Sequence, residues 1–217
     1  MFYKFFLKVF VSLVYYVKIP TNIQNANDFV KYHVKTSIKH HLIKSLNLVY
    51  DDDVYIFHIN GLFKDESEIE FAKKTYSNNC FYKELLFWMW YYSLQIFLKQ
   101  SNILTTFIYV KDQGMYNLVC ISVEYKTRKV YYLLSILINH DDIIIEDLYS
   151  FKYMDVLINS LNSGSKIICL GYKTDLLKIG LGAEKQISHI TLLDKHITLL
   201  DKHLTFIDIV LRFLSTI

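Results

Sequence analysis

The sequence predicts one α/β or α+β domain with a mixed, mainly antiparallel sheet. Three observations point there. First, Ile103–Val110, Leu118–Tyr125 and Val130–Ile138 are apolar runs rich in β-branched and aromatic residues. Lys111–Gly114 and Lys126–Lys129 separate them with turn chemistry, so about 103–138 reads as a three-stranded meander. Second, about 80–100 is apolar on nearly every helical face, through Phe81, Leu85, Trp88, Trp90, Leu94 and Phe97. A helix without a polar face is usually buried, which makes this the helix that packs the meander. Third, apolar residues at 190, 193, 197, 200, 204, 207, 211 and 214 form a heptad seam, which predicts a C-terminal amphipathic helix over about 187–215.

A chain of 217 residues suits one domain with a full core. Hydrophobic content of 53% against 21% charge excludes a disordered chain. The net charge of +3 is too small to imply nucleic acid by itself. Cys80, Cys120 and Cys169 form no CxxC pair, so neither a disulfide framework nor a zinc ribbon is expected, and a reducing, intracellular setting is the simplest reading. The abundance of Ile, Lys, Asn, Tyr and Phe suggests a low-GC coding sequence, as in many viruses and parasites.

Residues 1–20 form an apolar N-terminal segment ahead of a single globular unit, 21–217. As a strand, 2–19 is apolar at every odd position from Tyr3 to Ile19. As a helix, Lys4, Lys8 and Ser12 make a narrow polar stripe suited to a membrane surface, and a secretion signal is a third reading. Asn27 or Asp28 then caps a helix to about Leu46. Lys31, Lys35 and Lys39, with Lys44, give it a basic face that could touch nucleic-acid phosphates, against the plainer reading of a solvated surface.

Val54–Ile59 reads as a strand closed by Asn60-Gly61, and Asp65–Tyr76 as a helix with an acidic first turn. Leu148–Leu161 reads as a helix ended by Asn162–Ser165. Lys166–Leu170 follows as a short strand, a step that can add a parallel strand to the sheet. In the tail, Ile190–His196 is copied as Ile197–His203, which looks like a recent duplication.

Candidate chemistry is sparse. Glu84, Asp112, Glu124 and Lys126 have the order of a PD-(D/E)xK nuclease, a helical acid followed by strand acids and a Lys. That resemblance implies Mg2+ or Mn2+ held by the acids, with Lys126 steadying the attacking water. A turn at Lys111–Gly114 would keep Asp112 about 25 Å from Glu124. Asn78-Asn79-Cys80 at a helix start resembles the nucleophile segment of papain-like cysteine proteases, with His189 or His140 as partner. A structural Cys80 is the plainer reading. His189, His196 and His203 are too far apart on a helix to share one ion, so no metal or cofactor is expected.

The stretch from the 148–161 helix through Ile168–Gly171 and Lys173-Thr174-Asp175 to His189 is similar in order and spacing to the C-terminal third of uracil-DNA glycosylases. That family's water-activating Asp-Pro-Tyr loop is absent here, where Val110–Gln113 offers only Asp112, so its activity is not carried over. The expectation is therefore a non-enzymatic protein-interaction protein with a partner on the C-terminal helix. A metal-dependent nucleic-acid-processing enzyme is the alternative.

Overall fold

Gln113 and Gly114 double the chain back between β3 (Ile103–Asp112) and β4 (Met115–Lys126). Their φ angles are 48° and 87°. Two successive left-handed residues make the type I′ turn that matches strand twist, and Gly114 takes that conformation without a Cβ penalty. Asp112 therefore pairs with Met115.

The computed structural model describes residues 11–48, 51–76, 83–139, 148–171 and 176–189. The other strands are β1 (Val11–Lys18), β2 (Val54–Asn60), β5 (Val130–Ile138), β6 (Ile167–Cys169) and β7 (Glu184–His189). The helices are α1 (Ala26–His33), α2 (Thr36–Leu48), α3 (Glu66–Tyr76), α4 (Lys83–Phe97), α5 (Leu148–Asn162) and α6 (Leu176–Gly180). Together they form one α/β domain on a seven-stranded mixed sheet of order β2-β3-β4-β5-β6-β1-β7. Among the described residues only β5 and β6 run parallel, and α5 lies in the crossover between them.

Strand alternation sends side chains to two helical layers. On one face, Tyr15, Val17, Tyr131, Leu133 and Ile168 pack with Phe29, Leu42, Met154 and Leu157 of α1, α2 and α5. On the other, Phe107, Ile121, Val123 and Tyr125 pack with Ala72 of α3 and Phe87, Trp90, Tyr91 and Leu94 of α4. Each fully buried large side chain contributes about 1.5–3 kcal/mol, so the core rests on both layers.

Several expectations change. The helix expected from Asn27 or Asp28 to Leu46 is two helices. Asn25 caps α1 by accepting from the Asp28 amide, and Val34 is extended. The Lys35 amide then donates to Gly180 rather than continuing the helix. Helix α4 is not buried all round: Glu84, Leu85, Tyr92 and Ile96 face solvent, Ile96 at 72% exposure. An apolar composition therefore hides a one-sided helix. The C-terminal helix placed at about 187–215 begins too early, because residues up to His189 belong to β7, paired antiparallel to β1. Residues 190–217, with the heptad seam, lie outside the described residues, as do 1–10. Residues 11–18 are a strand inside the sheet, between β6 and β7. Among the described residues, no helix is long and apolar enough to cross a membrane.

Candidate functional site

The chemistry-bearing residues gather under α5. Lys152 and Asp155 sit three apart on its sheet-facing side, fully buried or nearly so. Lys152 Nζ lies 2.5 Å from Glu124 Oε1 of β4 and also pairs with Asp155. Glu124 Oε1 accepts from Ser122 Oγ at 2.9 Å and Thr106 Oγ1 at 3.1 Å. Tyr131 of β5 donates to Glu124 Oε2. A buried charge is tolerable only when paired and hydrogen-bonded, and Glu124 is.

Electrostatics separate the two carboxyls. Burial would raise Glu124, but Lys152 and the donated hydrogen bonds leave it below the usual carboxylate range. Asp155 is raised, first by burial and then by Glu124, against the opposing pull of Lys152 and His58. Burial would lower Lys152, yet Asp155 and Glu124 raise it, so it stays charged. Burial and then Glu124 push Tyr131 far up, keeping its proton on the phenol.

The network reaches the surface at His58 of β2. Its Nε2 lies 3.8 Å from Asp155 Oδ1, with the side chain 35% exposed. Its Nδ1 lies 3.0 Å from Thr106 Oγ1. Because Thr106 donates its one hydroxyl proton to Glu124, His58 Nδ1 is the donor in that contact. Both ring nitrogens face protein groups, Nδ1 within hydrogen-bond distance and Nε2 beyond it. Lys152, Asp155, His58 and Tyr131 escape a motif search. The visible signal was two charges on the apolar face of the predicted 148–161 helix.

The nuclease residues do not converge. Asp112 is exposed at the hairpin tip. Glu124 pairs with Leu104, eight residues further along β3, about 26 Å away at the strand rise. Glu124 is committed to Lys152, while Lys126 is exposed at the end of β4 opposite Tyr131. Glu84 is exposed on α4, 2.5 Å from Lys73, which holds its carboxyl below the usual range. Cys80 lies outside the described residues, and His189 closes β7 opposite Val11. Lys31, Lys35 and Lys44 are exposed on or beside α1 and α2, while Lys39 donates to the Lys31 carbonyl. Among the described residues, no group of three His, Cys, Asp or Glu side chains could hold a metal ion.

A second feature lies at the sheet edge. β2 is an outer strand. The Lys111 amide donates to Asp53 and the Gly61 amide to Ile103, so odd-numbered residues of β2 bond to β3. By alternation, the backbone groups of Ile56, His58 and Asn60 point away from the sheet. Tyr55 and Phe57 are exposed beside that edge. Tyr55 lies 6.3 Å from Tyr109 and 6.2 Å from Tyr116, ring centroid to centroid.

No protein-family model and no curated protein matches the sequence. Solved structures with a similar course include the C-terminal DUF2156 domain of an Agrobacterium fabrum protein, at 8% identity and TM-score 0.48 over 82% of this chain and 59% of that one. A tandem GNAT protein from the clavulanic acid biosynthesis pathway matches at 6% identity and TM-score 0.49, over 80% of this chain and 50% of that one. L-PGS from Bacillus licheniformis matches at 6% identity and TM-score 0.47, over 95% and 66%. This chain spans less than two thirds of the length of each. No activity is transferred from them.

Proposed function

We propose that the protein is a non-enzymatic protein-interaction module that binds an extended segment of its partner along β2. The observation that supports this reading is the character of that edge. Val54–Asn60 contains no Lys, Arg, Asp, Glu or Pro. Outer strands are ordinarily guarded by such residues because their free amides and carbonyls template pairing. Here the outward backbone of Ile56, His58 and Asn60 stands open among the described residues, with apolar side chains beside it. An added strand would gain backbone hydrogen bonds at the edge and apolar contact with Tyr55 and Phe57.

Amide hydrogen exchange tests the reading with a ten-residue peptide of alternating valine and threonine. Binding should slow exchange at Ile56, His58 and Asn60. Tyr55 and Phe57 should change little, since their amides already face β3. No slowing at about 1 mM peptide, a binding free energy near −4 kcal/mol, would reject it.

A further inference from the structure

We infer that the segment accepted by β2 carries cationic side chains, so that the partner is a basic extended strand rather than a neutral or acidic one. This rests on the reading of β2 as a pairing edge and adds the chemistry of the occupant.

Two features of the edge converge on that chemistry. The first is aromatic. Tyr55 stands between Phe57, stacked at 6.5 Å, and the rings of Tyr109 and Tyr116. A strand added beside β2 places every second side chain next to Tyr55 and Phe57, on the same face. Aromatic faces carry negative potential and attract guanidinium or ammonium groups within about 6 Å.

The second is charge. Asp51, Asp52 and Asp53 lead directly into β2 and are all exposed. Asp112 lies alongside, because its neighbour Lys111 is paired with the Asp53 position. Asp65 and Glu68 also act electrostatically on Tyr109, which pairs with Tyr55 near the same end. Lys111 on β3 is held 3.7 Å from Asp53. Acids therefore gather at the Val54 end of an uncharged strand, where Tyr55 stands. The whole chain carries +3, so overall charge does not draw in a basic peptide and the attraction is local to this edge. An acidic segment would meet like charge at that end, whichever direction it ran.

Fluorescence anisotropy with three ten-residue labelled peptides tests the inference. They alternate valine with arginine, with threonine or with glutamate. The arginine peptide should bind about tenfold or more tightly than the threonine peptide, an advantage that shrinks as salt rises. Tyr55→Ala and Glu68→Gln should each erode that advantage while sparing the threonine peptide more. Ile56→Pro removes an outward amide without touching the β2–β3 bonds, and should weaken both peptides about tenfold. Should Ile56→Pro fail to fold by circular dichroism, slowed exchange of the Ile56 and His58 amides in the unaltered protein replaces it. Equal binding of arginine and threonine peptides, both sensitive to Ile56→Pro, would overturn the cationic partner and leave the pairing edge standing. Binding of none, or binding indifferent to Ile56→Pro without protection of the edge amides, would overturn both.

Discussion

Lys152 Nζ lies 2.5 Å from Glu124 Oε1, joining helix α5 to the middle of the sheet with both side chains wholly out of solvent. Asp155 completes the group from the same helix. Such a cluster contributes little net stability against an apolar replacement of equal volume, but a great deal against its own partial removal. Lys152→Met should cost about 3–5 kcal/mol, because two buried carboxyls lose their cation. Adding Glu124→Leu and Asp155→Leu should restore more than half of that loss. Urea denaturation of the single and triple variants measures both, and a triple variant no better than the single would contradict this account.

Asp155 and Glu124 should respond to pH in opposite senses. Asp155 is raised, so folding takes up a proton between its ordinary value, about 3.9, and its folded value. Its contribution is greatest below that interval and declines as pH rises through it. Glu124 is lowered, so its contribution is present above the ordinary value and disappears as pH falls through the folded one. Asp155→Asn should therefore gain on the unaltered protein as pH climbs from about 4, the starting point set by the ordinary value. Urea midpoints at a series of pH values report the gap, and a constant difference would contradict the raised Asp155.

Cys120 is buried under α5, and burial pushes its thiol up to about 12. At pH 8 about one molecule in ten thousand then carries the thiolate that alkylating agents attack. Iodoacetamide should label Cys120 only as fast as the protein opens, as read by peptide mass mapping. Prompt labelling in the folded state would count against the burial.

Much of the sheet was legible. Gly114 after Lys111-Asp112-Gln113 announced the reversal, but both faces of β3 and β4 are covered, so their apolar runs did not say which layer each side chain joins. What failed has a physical cause in each case. The composition of α4 says apolar all round, while among its described residues Glu84, Leu85, Tyr92 and Ile96 are exposed. Val34 breaks a helix whose four-residue periodicity runs on undisturbed, because Gly180, 145 residues later, supplies the partner for the Lys35 amide. The Lys152–Glu124–Asp155 cluster was written as two charges on an apolar helical face, but only the three-dimensional pairing says which strand answers them. The nuclease-like order of Glu84, Asp112, Glu124 and Lys126 is real in sequence and is dispersed by the register.

The two sides of α4 should separate cleanly by mutation. Leu94 is buried against the sheet, and Leu94→Ala should cost about 2–5 kcal/mol. Ile96 faces solvent, and Ile96→Lys should stay within about 0.5 kcal/mol of the parent. Thermal unfolding of both variants decides the matter, and a large loss at Ile96 would mean that its side is covered.

Gly114→Ala tests the turn. A Cβ there meets nothing within 4 Å, so any loss is conformational rather than steric crowding. A φ of 87° in a residue with a Cβ should cost about 1–2 kcal/mol. No change in the denaturation midpoint would argue against the type I′ geometry.

β1 is made of residues 11–18, yet its hydrogen-bonded neighbours are 167–169 and 184–189. During synthesis, this strand must wait for about 150 further residues before either flank is occupied. Contacts so distant in sequence close slowly. A nascent chain stalled before residue 167 would hold the paired strands β2 to β5 with β1 still waiting for its neighbours.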